Sequence, residues 1–162
     1  MTQENLKFIF DRYFNALRSY VYYRFGDEDE ATDIAQEAFI LLWEKNADFE
    51  EKRNLKFLYT VAGNMSVDRY RKHKSAQKYL TSLKWSWSEE YSGNEIEFGE
   101  LKHRYETALL QMPEDQRVTF LMSRNDELTY SEIAQRLNIS VKAVEKRMSK
   151  ALALLNQKIG NG

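Results

Sequence analysis

The 162-residue sequence predicts an all-α protein built as two small helical domains joined by a flexible linker. Three observations carry that prediction. A single proline and six glycines leave long stretches of chain uninterrupted. Apolar residues recur at three- and four-residue spacing through most of the sequence. That phase dissolves between about residues 76 and 101, where serines, a Ser-Gly-Asn corner and acidic residues take over. Hydrophobic content of 43% is enough for packed cores.

The first predicted helix, Leu6 to Phe25, carries Phe10, Tyr13, Phe14, Leu17, Val21 and Tyr22 on one stripe and ends at Gly26. Asp27 to Asp29 can cap a second helix that runs to Lys45 and has Ile34, Ala38, Leu41 and Leu42 available for its inner side. Asp33, Gln36, Glu37 and Phe39 project more widely, and Trp43 sits near the end. Asp48 to Asn54 is polar enough to be a loop. Leu55 to Lys74 forms a third helix with Leu58, Val61, Ala62 and Met65 facing inward, and Tyr70 a further candidate. Asn64, Asp68, Arg71 and Lys72 then share an exposed strip. Cations at a helix end also suit its dipole, so Arg71 to Lys74 have an ordinary explanation beside a phosphate-binding one. Trp43, Phe57, Tyr59 and Tyr70 likewise suit either a stacking platform for single-stranded nucleic acid or a plain aromatic core.

The predicted domains are residues 1–76 and 101–162, with a linker at 77–100. Extended, about twenty-five residues reach roughly 80 Å. Trp85 and Trp87 are unusual in a passive tether, which points to a partner surface that holds them. A helix resumes over Leu101 to Met112, and Pro113, Glu114 and Asp115 open the next with the charges its dipole favours. Val118 to Met122 is its apolar middle, and Ser123 to Leu128 is a turn.

Thr129 to Leu155 has the grammar of two short helices joined tightly. Thr129 and Glu132 form a capping box, and Ile133, Ala134 and Leu137 make an apolar face. Asn138 supplies a left-handed corner, Ile139 plugs the angle and Ser140 caps the second helix. There Val141, Val144, Met148, Leu152 and Leu155 are expected to be buried, which sets Lys142, Glu145, Lys146, Ser149 and Lys150 outward. The result is a helix-turn-helix with a mostly basic outer face, a shape that fits the major groove of DNA. A helical hairpin with a solvated basic face has the same pattern.

Composition narrows the chemistry. With no cysteine and only His73 and His103, distant in sequence, a metal site is improbable, and neither a phosphate loop nor a nucleophile motif is present. No catalytic residue, cofactor or small-molecule substrate is expected. No apolar run is long enough to span a membrane, and the N-terminus lacks a signal-peptide pattern, so a cytoplasmic protein is expected. The net charge of −1 hides a segregation. Acid collects at residues 27–30, 44–51 and 89–100, and base at 69–78 and along the last helix.

In this order the parts resemble a bacterial RNA polymerase sigma factor of the sigma-70 family, of the short extracytoplasmic-function (ECF) type. The resemblance rests on Asp33-Ile-Ala-Gln-Glu-Ala-Phe39 followed by Trp43, and on Asn64 with Asp68 and the basic run. It continues in Met112-Pro113 with Arg117, in Glu132-Ile133-Ala134, and in Val144 with Arg147. It implies a sigma2-like domain of three or four helices and a sigma4-like helix-turn-helix domain. It also implies core RNA polymerase and promoter DNA as partners, and leaves room for an anti-sigma factor.

By the same resemblance, Asp33, Gln36, Glu37, Phe39 and Trp43 meet core polymerase at the clamp helices of β′, with the β subunit as a second contact. An exposed Phe39 would be the anchor, removable without harm to the fold. Asn64, Asp68, Arg71 and Lys72 fall on the helix that resembles the −10 reader, and Asp48 to Asn54 on the loop that receives a flipped-out base. Lys142 and Arg147 are better placed for phosphates of the −35 element, and Glu145, Lys146, Ser149 and Lys150 for base edges. Glu145 and Leu152 depart from the residues common in the family, and Glu145 suits a cytosine amino group. The acidic linker would thread toward the polymerase cleft. Two elements about seventeen base pairs apart are separated by roughly 58 Å at about 3.4 Å per pair, within the linker's reach. A conventional helix-turn-helix regulator that acts without polymerase, or a helical interaction protein without a DNA role, would leave the Asp33 to Phe39 face or the basic faces without a purpose.

Overall fold

A computed structural model describes residues 1–45, 48–73 and 95–160 of the chain. Among them are seven helices and no strand. We label them α1 (Gln3–Phe25), α2 (Glu28–Glu44), α3 (Glu51–His73), α4 (Glu95–Gln111), α5 (Glu114–Arg124), α6 (Tyr130–Leu137) and α7 (Val141–Ile159).

The first domain is α1, α2 and α3 packed around one apolar core. Thr2 caps α1 by accepting from the Asn5 amide, and Gly26 ends it at φ 78°, a left-handed turn that a residue with a Cβ rarely adopts. Asp27 then accepts from the Glu30 amide and starts α2. Ile9, Tyr13, Leu17 and Val21 of α1 face Ala31, Ile34, Ala35, Ala38 and Leu42 of α2 and Leu58 and Ala62 of α3, all buried. The alanines let α2 lie close to its neighbours.

Two aromatic side chains exchange their expected places. Phe39 is only 4% exposed and not an outward anchor, because Phe10 meets it edge-on at 5.1 Å and Phe14 lies 6.1 Å away. Phe10, expected inside, is 39% exposed and stacks on Phe14. The buried stripe of α1 runs through Ile9 instead, one residue and about 100° round the helix. The third helix also starts sooner than its polar sequence suggests. Glu50 accepts from the Arg53 amide, so Glu51 to Asn54 form a helical turn and the loop shrinks to Asp48 to Glu50.

In the second domain, α4 begins at Glu95, within the segment expected to be linker. The rest of that segment, with Trp85 and Trp87, lies outside the described residues. Tyr105, Ala108 and Leu109 of α4, Val118, Leu121 and Met122 of α5, Ile133 and Ala134 of α6, and Val144, Met148, Ala151 and Leu155 of α7 form its core. Val141 and Leu152 are 41% and 49% exposed rather than buried. The inward stripe repeats as 144, 148, 151, 155, so Ala151 takes the place assigned to Leu152, and Val141 falls at the rim of the first turn.

The domains are docked, α5 against α1 and α6 against α3. Burial makes one outcome plain. Phe39→Ala should lower folding stability by about 3 kcal/mol, whereas Ile40→Ala, on the outside of the same helix, should stay within about 0.5 kcal/mol of the parent in chemical denaturation.

Candidate protein and nucleic-acid interfaces

Because α2 buries Ala31, Ile34, Ala35, Ala38, Phe39 and Leu42, its outer face is fixed. Asp33, Gln36, Ile40 and Trp43 are exposed and follow one another at three- and four-residue spacing. Ile40, 55% exposed, and Trp43, 39% exposed, are the large apolar groups of that face. Ile40 was not among the expected contacts. Its signal was present in the sequence, since burying Ala38 and Leu42 leaves position 40 outside.

Three acids of α2 are paired rather than free. Arg69 of α3 reaches across and donates to Glu30, Asp33 and Glu37, each at 2.7 Å. The bond to Glu30, then those to the other two carboxylates, raise the guanidinium pKa further and outweigh its partial burial. Asp33 and Glu37 are more than two-fifths exposed, so the cluster still presents carboxylate oxygen to a partner while joining α2 to α3. Sequence reading placed Arg69 in a basic run and missed this pairing.

Asn64 and Asp68 stand exposed on α3, one turn apart. Arg71 and Lys72 continue the same helix, and their side chains lie outside the described residues. Asn64 borders a cleft lined by Tyr20, Arg24, Tyr59 and Arg136. Of the aromatics proposed for a platform, Tyr59 belongs to the core at 2% exposure, and Tyr70 stacks on Phe25 with ring centroids 4.6 Å apart. Phe57 is half-buried against the core, and only Trp43 is exposed.

The loop before α3 holds its own aromatic. Phe49, 40% exposed, meets the equally open Phe8 edge-on at 6.1 Å. Asn54, fully buried, fastens this loop. Its Oδ1 accepts from the Glu50 amide at 2.9 Å, and Nδ2 donates to the Asp48 carbonyl at 3.4 Å. Arg53 donates to the same carbonyl at 3.1 Å. Nothing in the sequence pattern singled out Asn54 as the fastener, because a polar residue in a polar stretch carries no periodic signal.

The helix-turn-helix has the expected corner. Thr129 and Glu132 exchange both bonds of the capping box, and those bonds hold the Glu132 carboxyl below the usual carboxylate range. Asn138 adopts φ 57°, and the amide of Ile139 donates to the Ala134 carbonyl. Ser140 caps α7 by accepting from the Ala143 amide at 3.0 Å. Lys142, Glu145, Lys146, Ser149 and Lys150 are all exposed on one side of α7. Arg147 stands apart, partly buried, with its Nε 3.7 Å from Asp115 of α5.

A family model for sigma-70 region 2 matches residues 9–76, and one for sigma-70 region 4 matches residues 102–155. The chain is 30% identical to the ferric citrate uptake sigma factor FecI of Escherichia coli (strain K12), over 84% of this chain and 80% of that protein. It is 28% identical to the ECF RNA polymerase sigma factor SigW of Bacillus subtilis (strain 168), over 93% of this chain and 87% of the relative. Among solved structures, the fold is similar to the sigma factor RpoE in complex with the anti-sigma factor NepR from Bartonella quintana. The TM-score is 0.62 at 17% identity, covering 95% of this chain and 96% of that one. It is also similar to CnrH in complex with the cytosolic domain of CnrY, with a TM-score of 0.63 at 22% identity, covering 96% and 88%. With both regions matched in order along an all-helical chain, this protein belongs to the sigma-70 family of RNA polymerase sigma factors, in its ECF group.

Proposed function

We propose that α2, the loop before α3, and α7 are the three working surfaces through which this sigma factor joins core RNA polymerase and opens a promoter. The outward stripe of α2 carries the reading. Two large apolar side chains, Ile40 and Trp43, share an exposed face with Asp33 and Gln36, and a regulator that never meets polymerase has no use for such a face. The composition fits a protein contact, with an apolar centre and charges at the edge that guide the encounter. The clamp helices of β′ are the proposed partner, with Glu37 and Phe39 acting differently from the exposed residues. Glu37 acts through the Arg69 cluster, and Phe39 supports the helix from below.

Strand opening is the second task. Unstacking DNA costs about 1.4 kcal/mol per step, which only tighter binding to the separated strands can offset. Asn64, Asp68, Arg71 and Lys72 are proposed to follow the −10 element. Phe49 and Phe8, exposed beside a loop that Asn54 holds in shape, offer the aromatic faces a displaced base requires. The third surface is α7. Glu145, Lys146, Ser149 and Lys150 are proposed to face base edges of the −35 element, with Lys142 on phosphate. Arg147 joins Lys142 there once its Asp115 pair is given up. The protein supplies binding energy rather than bond chemistry, and its proposed place is the cytoplasm. Residues 1–76 and 101–162 remain the proposed domains, with α4 extending back to Glu95. RpoE, of like fold, is bound to the anti-sigma factor NepR, and an anti-sigma factor is proposed as a partner here.

Adding the chain to core polymerase and genomic DNA, then mapping transcript starts, tests the whole reading. The starts should share two spaced elements, and starts without them would defeat it. Ile40→Glu should reduce capture by core polymerase at least about tenfold, as burying an unpaired charge at an interface centre costs more than about 1.4 kcal/mol. Its melting temperature should not change. Lys146→Ala with Lys150→Ala should weaken use of the upstream element by about fivefold or more, the loss expected of base-edge contacts. Phe49→Ala should slow strand opening on a double-stranded promoter and have little effect on a template already melted at the −10 element.

A further inference from the structure

One side chain on the outward face of α7 runs against the rest. Lys142, Lys146 and Lys150 are exposed there at four-residue spacing, with Ser149 beside them. An ammonium group donates hydrogen bonds and cannot accept them, and a hydroxyl does either. Glu145, also exposed, is the reverse of a lysine: its carboxylate accepts and cannot donate. Within this row it alone is restricted to a partner that donates.

An acid in a basic row ordinarily pairs with a lysine three or four residues away. Lys142 stands at that spacing, yet no ion pair or side-chain hydrogen bond among the described residues includes Glu145. The nearby Arg147 is taken instead by Asp115 of α5, 3.7 Å from its Nε. The segment that carries Glu145 is well fastened. Val144, the residue before it, is fully buried, and Ser140 caps the start of the helix. Glu145 lies in the second turn of α7, and the early outward turns of a reading helix are those that meet base edges.

A carboxylate beside DNA carries a cost. Each cation that the face offers to phosphate is partly offset by this one anion, whatever the sequence beneath. Only a base that presents a donor relieves that cost. In the major groove cytosine presents its N4 amino group, and adenine presents N6 beside the acceptor N7. Guanine presents two acceptors, and thymine an acceptor and a methyl group. Cytosine is therefore the base whose own edge meets a carboxylate without an opposing acceptor.

We infer that Glu145 selects the sequence of the upstream element: it requires a cytosine at one position and rejects the other bases there, while Lys146 and Lys150 seek acceptors at neighbouring positions. The inference rests on the proposed assignment of α7 to the −35 element and adds which base one side chain selects. Glu145 and Ser149 stand one turn apart, about 6 Å along the axis at about 1.5 Å per residue, against about 3.4 Å per base pair. The position read by Glu145 is thus about two base pairs from that of the next turn, so its substitution alters one position and not the whole element.

The test uses core RNA polymerase carrying the full-length chain, on a promoter recovered by mapping transcript starts and randomised across its −35 element. Among the transcribed sequences of the parent, one position should carry cytosine at least about fivefold above each other base, the discrimination of one good base-edge contact. Glu145→Gln should move that preference to adenine, because a carboxamide pairs with N6 and N7 together. Glu145→Ala should reduce it to less than about twofold. Preferences at the other positions should persist in both variants, and their melting temperatures should match the parent's, since the side chain is exposed and unpaired. Duplex DNA without the element should bind the alanine variant more tightly than the parent. A cytosine preference that survives Glu145→Ala would overturn the inference. So would variants that gain affinity on every sequence alike with no change of preferred base, the behaviour of a plain surface charge. If the parent selects no base at any −35 position although core polymerase captures it, the assignment of α7 fails and this inference with it.

Discussion

The close packing of α2 through Ala31, Ala35 and Ala38 is the constraint on which the rest of the first domain depends. Small side chains bring the helix against α1 and α3, and a helix that buries one stripe must expose the opposite one. Position 40 is outward because 38 and 42 are inward. The same closeness brings Arg69 of α3 within reach of three carboxylates on α2, so the acidic face is braced by its own scaffold. At this exposure the pairs contribute little to folding, since solvent screens them. Their use is positional. They hold the side chains beside Ile40 in one arrangement, which lowers the entropy lost in the proposed docking of this face on polymerase.

Much of this could be read in the sequence. The helix-turn-helix was visible down to its caps, because Thr129, Glu132, Asn138 and Ser140 act through local backbone geometry that a sequence encodes within a few residues. Three errors share a different cause. Phe39, Val141 and Leu152 were assigned to the wrong side because spacing alone does not place a residue beside the packed stripe, as Phe39 is beside Ala38 and Leu152 beside Ala151, or one at the rim of a first turn, as Val141 is. Only tertiary packing decides which of them is covered. Phe39 went inward because Phe10 and Phe14 present an aromatic wall to it, a fact about α1 and not about α2. Asn54 and Arg117 were harder still. Their roles consist of hydrogen bonds to backbone atoms, as near as four residues away and as far as ninety-four, and no periodicity reports them.

The two kinds of contact in this molecule differ in what they permit. Within each domain the helices meet through alkyl and aromatic side chains whose separation would expose apolar area at about 25 cal/mol for each Å². Between the domains the most specific contacts are polar: the Arg117 bond to the Arg24 carbonyl at the end of α1, the Arg24–Glu114 pair, the Tyr23–Asp126 bond and Arg136 above the rings of Tyr13 and Tyr59. Water can replace each of them. Asp126, which accepts from the Tyr23 hydroxyl, lies partly buried in this seam, and that burial raises its carboxyl pKa. Such contacts cost less to open than an apolar core, so a partner that binds the separated domains better can open them.

Charge distribution then explains why such a partner is needed. Each phosphate that a cation neutralises contributes to affinity through the counterions it releases, so a short row of lysines gives only modest, salt-sensitive binding. The α7 face offers Lys142, Lys146 and Lys150 with Glu145 among them, on a chain whose net charge is −1. A single glutamate in that row withdraws part of the non-specific attraction and keeps its capacity to accept from a cytosine. A free chain with these charges is poorly held by DNA at large. In the proposed function, useful affinity comes from joining several weak contacts: α7 at one element, α3 and its loop at another, and α2 on the polymerase. The modest strength of each surface is what makes the combination selective, since no one of them retains the protein at a site where the others find nothing to bind.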